Sequence, residues 1–61
     1  MRIEANTFAE ACYDMNTVEE LETALADGPD ETDMEVWCLT ADEWREQIKL
    51  ALAVKRDEGP V

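Results

Sequence analysis

The chain has 61 residues, 46% of them hydrophobic, and carries sixteen Asp and Glu against five Lys and Arg with no histidine, for a net charge of −11. That length allows one small domain burying only about 60% of the surface its unfolded form exposes, while the hydrophobic share is too high for disorder and no apolar run approaches the roughly 18 residues of a membrane span. The charge excludes nucleic acid and membrane surfaces as direct ligands and favours encounter with a basic protein surface.

Met1 to Asn6 is short; Ile3 and Ala5 alternate with Arg2 and Glu4, which suits a brief edge strand or an arm. The start MRIEANTF lacks the apolar core of a signal peptide, so a cytoplasmic location is expected, in a host cell if the chain is phage-encoded. Thr7 and Glu10 make a capping box, in which each side chain satisfies a backbone N–H left unpaired by the first helical turn. Phe8, Ala11, Cys12 and Met15 then share one face of a helix that Asn16 breaks. Thr17 and Glu20 form a second box, followed by Val18, Leu21, Ala24 and Leu25 on a common stripe. Helices one and two are expected to be a tight pair, with Glu19, Glu20 and Glu22 outward and unneutralised by local sequence.

Asp27 to Glu31, DGPDE, is a turn: Gly28 tolerates positive φ and Pro29 cannot donate a helix hydrogen bond. Thr32 and Glu35 repeat the box, placing Met34, Trp37 and Cys38 at i, i+3 and i+4 of a third short helix. In the competing reading Glu35 to Leu39, EVWCL, is a buried β-strand paired with Ile3 to Ala5. The stretch Thr40 to Arg56, TADEWREQIKLALAVKR, is the long helix around which the rest is organised. A box of Thr40 and Glu43 opens it, and Ala41, Trp44, Ile48, Ala51, Leu52 and Lys55 make one stripe beside a second strip of Leu50 and Val54. Asp42 and Glu43 complement the positive end of its dipole, Lys55 and Arg56 the negative end. Gly59 and Pro60 end it, leaving 57–61 as a flexible tail. The expected fold is a single all-α domain, a compact bundle of three to four short helices with one long C-terminal helix; the alternative is α+β with a two-stranded sheet from residues 2–5 and 34–39.

Without histidine, and with a core too small for a desolvated cleft, catalysis is not expected. Asp27, Asp30, Glu31, Asp33 and Glu35 cluster at the turn, but an EF-hand needs oxygen ligands at positions 1, 3, 5 and 12 with Gly at 6, and here Gly28 directly follows Asp27. No metal and no cofactor is expected. Cys12 and Cys38 form no C-x-x-C; they pack as core thiols or join helix one to the third element. Trp37 and Trp44 read as core, with Trp37 also a candidate interface anchor. The first two helices resemble a helix-turn-helix in outline, yet they hold Glu10, Asp14, Glu19, Glu20, Glu22 and Asp27 with no base to meet phosphates.

The imbalance is uneven along the chain: residues 1–43 hold thirteen acids and one base, residues 44–61 three acids and four bases. Carboxylates on rigid helices, about 5–6 Å apart, approach the repeat of duplex phosphates, which suggests competition with DNA for a basic groove. Solubility, or adaptation to a high-salt cytoplasm, is the plainer explanation of the same count. In size, charge, M-R-I start and late T-A-D-E-W helix, the chain resembles the small acidic anti-CRISPR proteins of the DNA-mimic type that inhibit type I surveillance complexes. The resemblance implies a target, the basic DNA-binding surface of a CRISPR effector subunit, and transfers no functional residue. The sequence reading is therefore a non-enzymatic inhibitor, monomeric or weakly dimeric, that does not itself bind nucleic acid. Its partner-binding face is Glu10, Asp14, Glu19, Glu20, Glu22, Asp27, Asp30, Glu31, Asp33 and Glu35. The alternative is a small assembly or antitoxin-like protein that associates through Leu50, Ala53 and Val54 of the long helix.

Overall fold

Four α-helices, α1 (Phe8–Met15), α2 (Val18–Asp27), α3 (Glu31–Trp37) and α4 (Ala41–Glu58), make up the computed structural model, which describes residues 3–59. Each begins where a side chain satisfies a first-turn N–H. Thr7, Thr17 and Thr40 accept from the N–H groups of Glu10, Glu20 and Glu43, each at 3.2 Å. In α2 and α4 the glutamate also reaches back to the cap N–H, at 2.8 and 2.9 Å, closing both boxes. In α1 Glu10 reaches one residue further and accepts from Asn6 N–H at 3.0 Å, with Asn6 itself turned to φ 61°.

The third helix departs from expectation. Its cap is Asp30, whose Oδ1 accepts from Thr32 N–H at 2.8 Å, so Thr32 and Glu35 lie inside the helix and form no box. No strand occurs among the described residues: 35–37 is helical, and Ile3 to Ala5 precedes α1 without pairing. Arg2, the first residue of the alternative strand, lies outside the described residues. The helix stops because Cys38 turns left-handed, φ 55° and ψ 48°, and Leu39 N–H closes back on the Met34 carbonyl at 2.9 Å, a Schellman-type end. At the other end of the chain α4 runs two residues past the predicted limit at Arg56, through Asp57 and Glu58, before Gly59 caps it at φ 79°. Pro60 and Val61 lie outside the described residues.

Packing follows from the stripe on α4. Trp44, Ile48, Ala51 and Leu52 are buried, and at about 100° per residue they span an arc of roughly 100°, so everything that covers them lies on one side of the helix. Phe8, Ala9 and Cys12 of α1 and Leu21 of α2 complete the buried core, with Tyr13, Val18, Ala24, Leu25, Met34 and Leu39 partly buried around it. The result is an all-α, two-layer bundle, 34 × 24 × 17 Å between Cα extremes, with the short helices laid on α4. The Phe8 ring ties the layers, its centroid 6.3 Å from Trp44 and 5.8 Å from Trp37. Gln47 Oε1 accepts from Ala9 N–H at 3.1 Å, so a side chain of α4 satisfies a donor in the first turn of α1.

Several side chains sit elsewhere than periodicity places them. α1 and α2 pack on α4 rather than on each other, so they are neighbours on a shared support and not a tight pair. Ala9, outside the expected face of α1, is buried, and Met15, on that face, is 80% exposed. Cys38 is exposed, both thiols are free, and Trp37 retains 37% of its surface. Leu50, Ala53 and Val54 on the flank of α4 are half-buried.

Candidate functional site

The two layers differ in charge. Residues 3–40, which form the short-helix layer and its loops, hold eleven acids and no base, whereas α4 holds five acids and all four of the described bases. Those bases are already engaged. Arg45 and Lys49 pair along α4 with Asp42 at 3.5 Å and Glu46 at 3.9 Å. Arg56 crosses to Glu22 of α2, and Lys55 lies 4.7 Å above the ring of Tyr13 of α1, whose hydroxyl donates to Glu58. That hydrogen bond to a carboxylate is the main reason the Tyr13 phenol titrates above its usual range, with slight burial and the nearby acids adding to it.

The ten candidate carboxylates divide by what they touch. Glu10, Glu20 and Asp30 each accept a backbone N–H at a helix start, and Asp33 accepts from Trp44 Nε1 at 3.4 Å. Glu22, which has no base near it in sequence, is neutralised across the fold by Arg56. Asp14, Glu19, Asp27, Glu31 and Glu35 are exposed and have no partner among the described residues.

The positions of three of those last acids are unfavourable for folding. Asp14, Asp27 and Glu35 occupy the last turns of α1, α2 and α3, where the dipole is negative and where none of the three helices has a base. Glu10 with Asp14 and Glu31 with Glu35 are i,i+4 like-charge pairs, each costing about 0.2–0.5 kcal/mol. Other acids stand at helix N-termini, where the dipole favours them: Glu10, Glu19, Glu20, Glu31 and Asp33 in the short helices, Asp42 and Glu43 in α4.

A groove opens where the three short helices meet over α4, and no sequence signal announced it. Its floor is Trp44 and Ile48, its walls include Phe8, Ala11, Leu21 and Trp37, and its volume is about 390 Å³. Met15 stands at its edge, and Glu20 and Asp33 also line it. Cys12 lines the same groove from below; burial, with the charge of Asp33 second, pushes its thiol from 9.0 up to about 11. It is a protonated packing group and a poor nucleophile near neutral pH. Among the described residues no group of three His, Cys, Asp or Glu is placed to hold a metal ion, and no helix is long and apolar enough to cross a membrane. Comparison with protein-family models, with curated proteins and with solved structures finds no match to this chain.

Proposed function

We propose that this chain is a non-enzymatic inhibitor that presents its short-helix layer to a Lys/Arg-lined, nucleic-acid-binding surface of another protein and competes there with DNA. The resemblance to small acidic anti-CRISPR proteins makes a type I CRISPR surveillance complex the first target to test. The observation that carries the reading is the segregation of charge: eleven acids without a base on residues 3–40, against a near-balanced α4. A purely solubilising charge has no need of one layer over the other. Nor does it account for carboxylates kept at helix C-termini, where each costs about 0.3–1 kcal/mol. Function that conflicts with stability in this way is common at binding surfaces.

The test uses residues whose loss leaves the fold intact. Asp14, Asp27 and Glu35 have no partner among the described residues and stand in last helical turns, where a cation is favoured, so the triple variant Asp14→Lys/Asp27→Lys/Glu35→Lys keeps its helical circular dichroism. In a gel-shift assay with a purified type I surveillance complex and its target DNA, the parent chain blocks DNA binding and the variant does not. Inhibition also weakens as salt rises from 0.15 M, where the Debye length is about 8 Å, to 1 M, where it is about 3 Å. Equal inhibition by parent and variant rules this face out. Failure to inhibit any such complex removes the target while leaving the search for another basic partner open.

A further inference from the structure

We infer that the groove between α1, α2 and α3 receives an apolar side chain of a cationic polypeptide segment, with Glu20 and Asp33 taking the Lys or Arg residues that flank it. The inference names the partner's chemistry within the function proposed above, and its charged half rests on that reading. Contact through charge alone needs no cavity, yet this layer has one, floored by Trp44 and Ile48. Its volume, about 390 Å³, falls within the range of clefts that hold ligands. At its edge are Met15, 80% exposed, and Trp37, 37% exposed: a thioether that adapts its shape and an aromatic of the kind that anchors interfaces.

The two carboxylates that line the groove are each tied down through one oxygen. Glu20 is held by Oε1 on Thr17 N–H at 2.8 Å and Asp33 by Oδ2 on Trp44 Nε1 at 3.4 Å, so each keeps its second oxygen without a partner among the described residues. Acceptors fixed before binding lose little freedom on meeting an ammonium or guanidinium group. An apolar floor between two such acids suits a segment with an apolar residue between basic ones. A second copy of this chain is a poor occupant, because its described bases face its own acids or Tyr13 and two bodies of charge −11 repel.

The test titrates ¹⁵N-labelled protein at 0.15 M salt with two synthetic helical peptides of equal length and charge. One carries Lys with Leu at helical spacing; the other has Gln in place of each Leu. The Leu peptide binds about tenfold tighter or more, the gain expected from burying one Leu-sized side chain, and shifts the amides of Met15 and Leu21 and the Trp37 indole. Glu20→Gln and Asp33→Asn keep the oxygen that accepts the internal hydrogen bond and lose the charge; each weakens the Leu peptide about three- to tenfold. Met15→Ser, at an exposed site that leaves folding untouched, weakens it about fivefold, and Glu46→Gln on the open side of α4 leaves it unchanged. Equal affinity for both peptides, with shifts confined to the outer faces of α2 and α3, overturns the groove and leaves the acidic-face reading standing. Groove binding that ignores salt, Glu20→Gln and Asp33→Asn overturns the inference and that reading together, as does no binding by either peptide. A dimer formed through the same residues without peptide overturns the assignment to a foreign partner.

Discussion

Replacing Glu35 with lysine is expected to stabilise the protein. Glu35 is exposed in the last turn of the seven-residue α3, which has no base at that end and a second glutamate, Glu31, one turn back. Glu35→Lys removes a carboxylate from the negative end of the dipole and puts an ammonium there, each change contributing about 0.3–1 kcal/mol. It also converts an i,i+4 repulsion into an attraction, worth about 0.4–1 kcal/mol in all. Helix propensity is nearly unchanged, because Glu and Lys rank together. After discounting for exposure the gain is about 1–2 kcal/mol. At roughly 4–8 °C per kcal/mol for a domain of this size, the melting temperature rises by about 4–16 °C. Thermal melts followed by circular dichroism at low salt measure it, and repetition at 1 M salt, where the Debye length is about 3 Å, shows the gain shrinking. An unchanged or lowered melting temperature, or a gain indifferent to salt, refutes this account of α3. Under the proposed function the same substitution weakens inhibition, so stability and activity move in opposite directions.

Three further outcomes follow from the core and the caps. Trp44 is 2% exposed, and Trp44→Ala costs about 3–5 kcal/mol, most of the roughly 3–9 kcal/mol available to a chain this long; urea melts show it largely unfolded, while Trp37→Ala, at an open site, costs about 1–2 kcal/mol. Cys12 holds its proton in the folded state to about pH 11 and releases it near 9.0 when unfolded, so its stabilising contribution is complete below pH 9 and is lost as pH rises to about 11. The loss is on the order of 2–3 kcal/mol, and Cys12→Ala makes that stretch of a stability-versus-pH curve measured by denaturant melts shallower, leaving the part that Tyr13 contributes above its ordinary value of 10.0. Cys38 sits at φ 55°, a conformation that glycine adopts without a Cβ clash, and Cys38→Gly stabilises the fold by about 0.5–1 kcal/mol, read as a higher urea midpoint.

What was legible in the sequence was local. Thr7, Thr17 and Thr40 cap as their spacing to Glu10, Glu20 and Glu43 requires, and the stripe Trp44, Ile48, Ala51, Leu52 is buried as its period demands. The same rule misplaced the start of α3, because Thr32 and Glu35 satisfy the pattern and the more N-terminal Asp30 offers a carboxylate that captures Thr32 N–H first. The strand alternative at EVWCL failed because a left-handed Cys38 closes a helix there, and cysteine gives no warning of that conformation. The number of acids could be read from composition. Their sorting could not: Glu22 finds Arg56, and Asp33 finds Trp44, only once α2 and α3 are laid against α4. The groove is less legible still, since it lies between helices and Met15 looks like core by spacing alone.

The arrangement in which α1, α2 and α3 all rest on α4 also orders events during synthesis. The support is the last of the four helices to be made. Helices of seven to ten residues are marginal in water on their own, so the first 40 residues have nothing to settle on until 41–58 emerges. A nascent chain halted before Trp44 and Ile48 should therefore be sensitive to protease along its whole length, and resistance should arrive in a single step as α4 clears the ribosome.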